Sequence, residues 1–184
     1  MGRGFQTAVN AGIQSHLLHK TSPAQEDHAL DLKTFDTWRI GAVENASPAQ
    51  RMAFARDTIR QVIEAAHLDD VDLDYELDGD ALDALHEAMA NALTTPADAL
   101  KALDRRIEQG ILTEGNMDPR LLFVHGAIGA WADFLATGDP TSLKHLANEA
   151  VSQIDYHFEP KIDDFLACPQ MQAERDRIAV LLKA

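Results

Sequence analysis

An all-α bundle is the fold that this sequence predicts. Three observations carry the expectation. Apolar residues recur at helical spacing through most of the chain, helix-start signals stand ahead of those stripes, and β-branched runs closed by hairpin turns are missing. The architecture expected is a compact bundle of about seven or eight helices in antiparallel hairpins, built around a central apolar helix near 119–137. A short α-solenoid is the alternative. The tetratricopeptide pattern of Trp, Gly, Tyr, Ala and Pro does not appear in register, which favours the bundle.

Phe5, Val9, Ile13 and Leu17 recur every four residues and predict a helix over 4–19. Leu30, Leu32, Phe35, Trp38 and Ile40 could line one or two short helices within 20–46, with Gly41 and Asn45 as breaks. Ser47-Pro48 opens the next helix, because serine caps free N–H groups and proline tolerates the first helical position. Met52, Ile59, Val62 and Ile63 form its stripe, which ends near His67. From 69 to 80, acidic and apolar residues alternate. The density of Asp opposes a strand, so an acidic loop or extended linker is expected.

Asp80 is expected to cap a helix carrying Leu82, Leu85, Met89 and Leu93. Thr95-Pro96, with Asp98 following, opens another that carries Leu100, Leu103 and Ile107 and stops at a left-handed Gly110. Asp118-Pro119 starts the central helix and Gly138 ends it. Gly126 and Gly129 weaken that helix, which predicts close approach of a neighbouring backbone. Leu122, Phe123, Ile128 and Trp131 are expected in its core. Thr141 caps a helix with Leu143, Leu146, Ala150 and Ile154, which Pro160 ends or kinks; Pro169 starts the last one.

With 184 residues, the chain suits one domain over 1–184 with an acidic loop near 69–80. Its 46% hydrophobic content is that of a globular protein. A formal net charge of -14 disfavours direct binding of nucleic acid or anionic membrane, both of which are polyanionic. Cys168 is the sole cysteine, so no internal disulfide forms. Phe5, Ala8 and Val9 are separated by polar residues and do not make a signal-peptide core. His125 and Asp133 interrupt the longest apolar run, which is shorter than a membrane span. A cytoplasmic chain is expected.

The candidate chemistry is sparse. Placing Gly79 at position 6 of an EF-hand puts Asp74, Glu76 and Asp78 at ligand positions, but it also puts Leu85 where a bidentate carboxylate is required. Glu64 with His67, Asp83 with His86, and His145 with Glu149 have the spacing of one helical face. They do not complete a di-iron set, so neither metal nor cofactor is expected. Phosphate loops and nucleophile elbows are missing. Cys168 precedes Pro169 at a helix start, without an identifiable base beside it.

His125 and Asp133 are the weak catalytic candidates. As polar groups on an apolar helix, they must find partners, face water or line a pocket. The leading expectation is a non-enzymatic interaction module of the adaptor, chaperone, inhibitor or immunity type. It would use Asp70, Asp72, Asp74, Glu76, Asp78 and Asp80 to bind a basic partner protein. The alternatives are a helical enzyme or ligand sensor with a pocket around His125 and Asp133, and an inhibitor that mimics nucleic acid.

Overall fold

The computed structural model describes residues 32–113, 115–158 and 165–184. The stripe expected over 4–19 and the break expected at Pro160 lie outside them. Among the described residues there are eight α-helices: α1 (Leu32–Asn45), α2 (Pro48–Ala65), α3 (Leu73–Glu76), α4 (Gly79–Asn91), α5 (Ala97–Gln109), α6 (Pro119–Thr137), α7 (Pro140–Tyr156) and α8 (Pro169–Leu182). Short 3-10 turns span Leu68–Asp70 and Phe165–Ala167.

The helices form a compact bundle. Helix α6 packs against α2, α4, α5 and α7, while α7 packs against α1, α2, α6 and α8. In a solenoid each unit touches only its sequence neighbours, and the contacts of α2 with α6, α7 and α8 break that rule. No helix among the described residues is long and apolar enough to cross a membrane.

Helix α6 holds the centre, as its all-round apolar sequence predicts. Leu121, Val124, Ala127, Ile128 and Trp131 are fully buried, and burial of each Leu- or Ile-sized side chain is worth about 1.5–3 kcal/mol. The Trp131 indole also needs a hydrogen-bond partner inside the core, and its Nε1 donates to the Ala92 carbonyl at 2.7 Å. Leu122 differs from expectation. It is 47% exposed, on the face that α5 and α7 leave open.

The starts and stops of the helices follow local chemistry. Ser47 and Gln50 form a reciprocal capping box at α2. Arg51 reaches back to the last turn of α1, donating from Nε to the Val43 carbonyl at 2.9 Å and from Nη2 to the Glu44 carbonyl at 2.6 Å. Asp118 caps α6, and Gly138 ends it in the left-handed conformation at φ 67°.

Several signals act differently from the sequence reading. Gly41 does not break α1, which runs through it as one helix, and Asn45 does end it. Asp78, not Asp80, caps α4, accepting from the Ala81 amide at 2.8 Å. Asp139 takes the role expected of Thr141, whose amide donates to it at 2.9 Å. Thr95 turns its hydroxyl back to the Asn91 carbonyl at 2.9 Å, and Pro96 occupies the cap position of α5.

Gly110 does follow α5, but at φ -102°, not left-handed. Its reason for being glycine is steric: a Cβ there would lie 2.5 Å from both the Ala81 Cβ and an Asp78 carboxylate oxygen. Gly126 and Gly129 make room for side chains, not for a neighbouring backbone. Their absent Cβ positions lie 3.2 Å from the Glu149 and Asp104 carboxylate oxygens respectively.

Candidate functional site

The segment expected to be an acidic loop is a built element. Its alternating pattern is interrupted by α3, a single helical turn. The turn directs Leu77 and Glu76 inward and leaves Asp72, Asp74 and Tyr75 outside. Leu77 then forms an isolated antiparallel bridge with Ile111. Two backbone hydrogen bonds close it: the Asp78 amide donates to the Gly110 carbonyl at 2.8 Å, and the Leu112 amide to the Glu76 carbonyl at 2.9 Å. The close approach of the two chains here is what Gly110 permits.

Glu76 fixes the element from below. It is 7% exposed, so this member of the acidic run does not face solvent. Its carboxylate accepts a short hydrogen bond from the Thr113 hydroxyl and another from the Asp118 amide at 3.3 Å. A buried carboxylate is tolerated where such donors replace water. Asp118 is in turn paired with Arg120 at 2.9 Å, and the Arg120 guanidinium holds its carboxyl below the usual range. The turn, the start of α6 and the loop between α5 and α6 are therefore one bonded unit.

The other acidic residues divide by what they touch. Asp78 is exposed but committed to capping α4. Asp80 is exposed and held by Arg106 through Nε at 3.1 Å and Nη2 at 2.6 Å, hydrogen bonds that lower its pKa. Asp70, Asp72 and Asp74 are exposed and make no hydrogen bond or salt bridge with a described side chain. Between Arg60 and Lys101 the sequence contains no lysine or arginine. Among the described residues, no lysine or arginine pairs with these three charges, and the more distant Arg120 feels Asp70.

Two exposed apolar side chains stand in this acidic field. Tyr75 is 65% exposed and Leu112 57%, one on each side of the Leu77–Ile111 bridge. With Asp74, Thr113 and Asn116 they line a shallow open depression of about 480 Å³. The sequence reading missed this pairing. Tyr75 was visible as one of the apolar residues between the acids, but the strand-like alternation gave no reason to separate it from Leu73 and Leu77. Leu112 lies over thirty residues away and joins it only through the bridge.

His125 and Asp133, the catalytic candidates, are placed along the α5–α6 contact and do not share a pocket. His125 Nε2 lies 3.2 Å from the Asp104 carboxylate. That hydrogen bond raises the histidine pKa against the opposing effect of burial. Asp133 is paired with Lys101 at 2.7 Å and remains largely exposed. Each has a partner on α5, one turn apart, so the two residues act as rungs that align the helices. Of the helical-spacing pairs, His145 does lower the carboxyl pKa of Glu149, but burial outweighs it and the net shift is upward. His67 lies beyond the last residue of α2 in a left-handed conformation, out of helical register with Glu64. Among the described residues, no group of three or more His, Cys, Asp or Glu is gathered closely enough to hold a metal ion.

Across the bundle, Arg177 of α8 organises a second polar cluster. It donates to Glu174 from Nε and Nη2, both at 2.7 Å, and from Nη1 to Asp57 at 3.2 Å and the Thr58 hydroxyl at 3.0 Å. Its guanidinium sits 4.7 Å over the Phe54 ring. Burial works against the Arg177 charge, and the two carboxylates outweigh it. Cys168 caps α8, its sulfur accepting from the Met171 amide at 3.4 Å, and is buried.

Comparison of the chain with family models, with curated proteins and with solved structures found no match.

Proposed function

We propose that this chain is a non-enzymatic protein-interaction module that docks a basic partner on the shelf formed by α3 and the loop between α5 and α6. One observation carries the reading: Tyr75 and Leu112 stand exposed together beside Asp70, Asp72 and Asp74, carboxylates with no ion-pair partner among the described residues. Charge serving only solubility needs no aromatic anchor in its midst. Binding surfaces concentrate their energy in a few Tyr, Trp and Arg anchors, surrounded by polar groups that steer the partner and fix its register. Glu76 and the Leu77–Ile111 bridge hold the shelf in one conformation, which reduces the ordering cost of binding.

The test is a quantitative pull-down from cell extract with three baits: the wild-type chain, Asp70→Asn/Asp72→Asn/Asp74→Asn, and Tyr75→Ala. The expected result is a protein with a basic surface that is captured by wild type and lost from both variants. Captured proteins retained equally by all three baits would rule the shelf out. Capture of a DNA-binding protein that duplex DNA displaces would turn the reading toward nucleic-acid mimicry through the same residues.

A further inference from the structure

We propose that the cleft between α2, α7 and α8 is a docking groove for the chain's own residues 5–17, bound in cis as an amphipathic helix. The inference is independent of the shelf, with which the cleft shares no residue. The cleft has a volume of about 670 Å³. Ala65 of α2, Ile154 of α7, Phe158 just beyond it and Ala173 of α8 supply apolar walls. Its basic groups are His157 and Arg177, and Arg177 is held by Glu174 and Asp57. What the cleft offers an occupant is apolar contact along three helices, the condition under which a helix lays one face into a groove.

The sequence supplies such a face. Phe5, Val9, Ile13 and Leu17 recur every four residues and lie outside the described residues. Charge favours this segment as the occupant. All 30 acidic residues of the chain lie at or beyond Glu26, while residues 1–25 carry Arg3 and Lys20. In a chain of net charge -14, an acid-free segment escapes the repulsion that an acidic one would meet. Glu64 stands beside the cleft, in a depression that shares Gln61 and Ala65 with it. It is exposed and has no ion-pair partner among the described residues, so it can receive a cation of the segment. Reach favours the same occupant. The segment leads into α1, which packs on α7 and α8, two of the three helices that wall the cleft. Residues 18–31, fully extended, span about 45 Å, more than the roughly 30 Å diameter of a small domain. A tether of that length holds the segment at a millimolar effective concentration, enough for a contact that would be weak between separate molecules.

The test is methyl-resolved nuclear Overhauser spectroscopy on the full wild-type chain. Contacts should connect Val9, Ile13 and Leu17 with Ala65, Ile154 and Ala173. Val9→Asp/Ile13→Asp should abolish them while leaving the Tyr75 and Leu112 amide resonances in place. Ala173→Trp fills the cleft from an exposed position of α8 and should release the segment. Hydrogen exchange at the Leu17 amide should then become about tenfold faster than in wild type. No contact between the segment and the cleft, or contacts to Leu112 and other methyl groups outside it alone, would overturn the proposal. Contacts seen only between differently labelled copies in a mixed sample would overturn docking in cis and assign the groove to a second copy. Leu17 exchange that is the same in wild type and Ala173→Trp would also count against the groove.

Discussion

The Glu76 carboxylate accepts the hydroxyl hydrogen of Thr113 from beneath the α3 turn, tying the acidic segment to the loop that leads into α6. Removing the carboxylate strands two donors, the Thr113 hydroxyl and the Asp118 amide. Glu76→Ala should therefore cost roughly 1–3 kcal/mol in urea denaturation. Hydrogen exchange at the Leu112 amide, which donates to the Glu76 carbonyl, should accelerate in the same variant. Unchanged stability and exchange would mean that the turn is held by the Leu77 bridge alone.

Two glycines should respond in opposite directions to the same substitution. Gly41 lies inside α1 with nothing within 4 Å of its absent Cβ. Gly41→Ala should stabilise by about 0.5–1 kcal/mol through reduced freedom of the unfolded chain. Gly110→Ala would drive a methyl group against Ala81 and the Asp78 cap. It should destabilise by about 1–3 kcal/mol, as overpacking does. Thermal melts of the two variants decide both signs.

His125 predicts a pH dependence. Its pKa is raised above the ordinary 6.5, first by the hydrogen bond to Asp104. The stabilising contribution is therefore complete below 6.5 and is lost as pH rises through the folded value. The stability difference between wild type and His125→Gln should be constant at acid pH and shrink as pH rises above 6.5 through the raised folded value. A difference that grows with pH would mean that the neutral imidazole is the stabilising form.

Glu149 predicts the complementary behaviour of a buried acid. Burial raises its pKa above the ordinary 4.5, and His145 offsets this only in part. Protonation is favoured by folding, so the contribution is complete below 4.5 and is lost as pH rises through the folded value. Glu149→Gln should melt higher than wild type near pH 7, with the advantage disappearing near pH 4. A variant less stable at neutral pH would show that the carboxylate has a favourable ionic role.

The bundle was legible from sequence because its signals are local. Ser47-Pro48 and Asp118-Pro119 announce helix starts through chemistry confined to four residues. The apolar run of α6 can be satisfied only at the centre of other helices. The shelf was half legible. The charges of Asp70, Asp72 and Asp74 could be read directly, but the inward turn of Glu76 depends on Thr113 and Asp118, which are distant in sequence. His125 and Asp133 stood out as polar residues on an apolar helix. Their partners, Asp104 and Lys101, became identifiable only once α5 was packed against α6. Where two carboxylates were equally able to cap a helix, as at Asp78 and Asp80, composition could not choose between them. In the folded chain Asp78 accepts from the Ala81 amide, while Asp80 lies inside the first turn and pairs with Arg106.

Asp70, Asp72, Asp74 and Tyr75 are proposed to form a working surface for a basic partner. The most direct measurement of this is the association kinetics of the captured partner by surface plasmon resonance across a salt series. Charges on a surface are screened within about 10 Å at 0.1 M salt. The wild-type on-rate should fall steeply as salt rises, and Asp70→Asn/Asp72→Asn/Asp74→Asn should flatten that dependence while lowering the on-rate at low salt. Tyr75→Ala should act mainly on the off-rate, as loss of a buried anchor does. An on-rate indifferent to salt and to the three Asn substitutions, together with an off-rate indifferent to Tyr75→Ala, would contradict the claim.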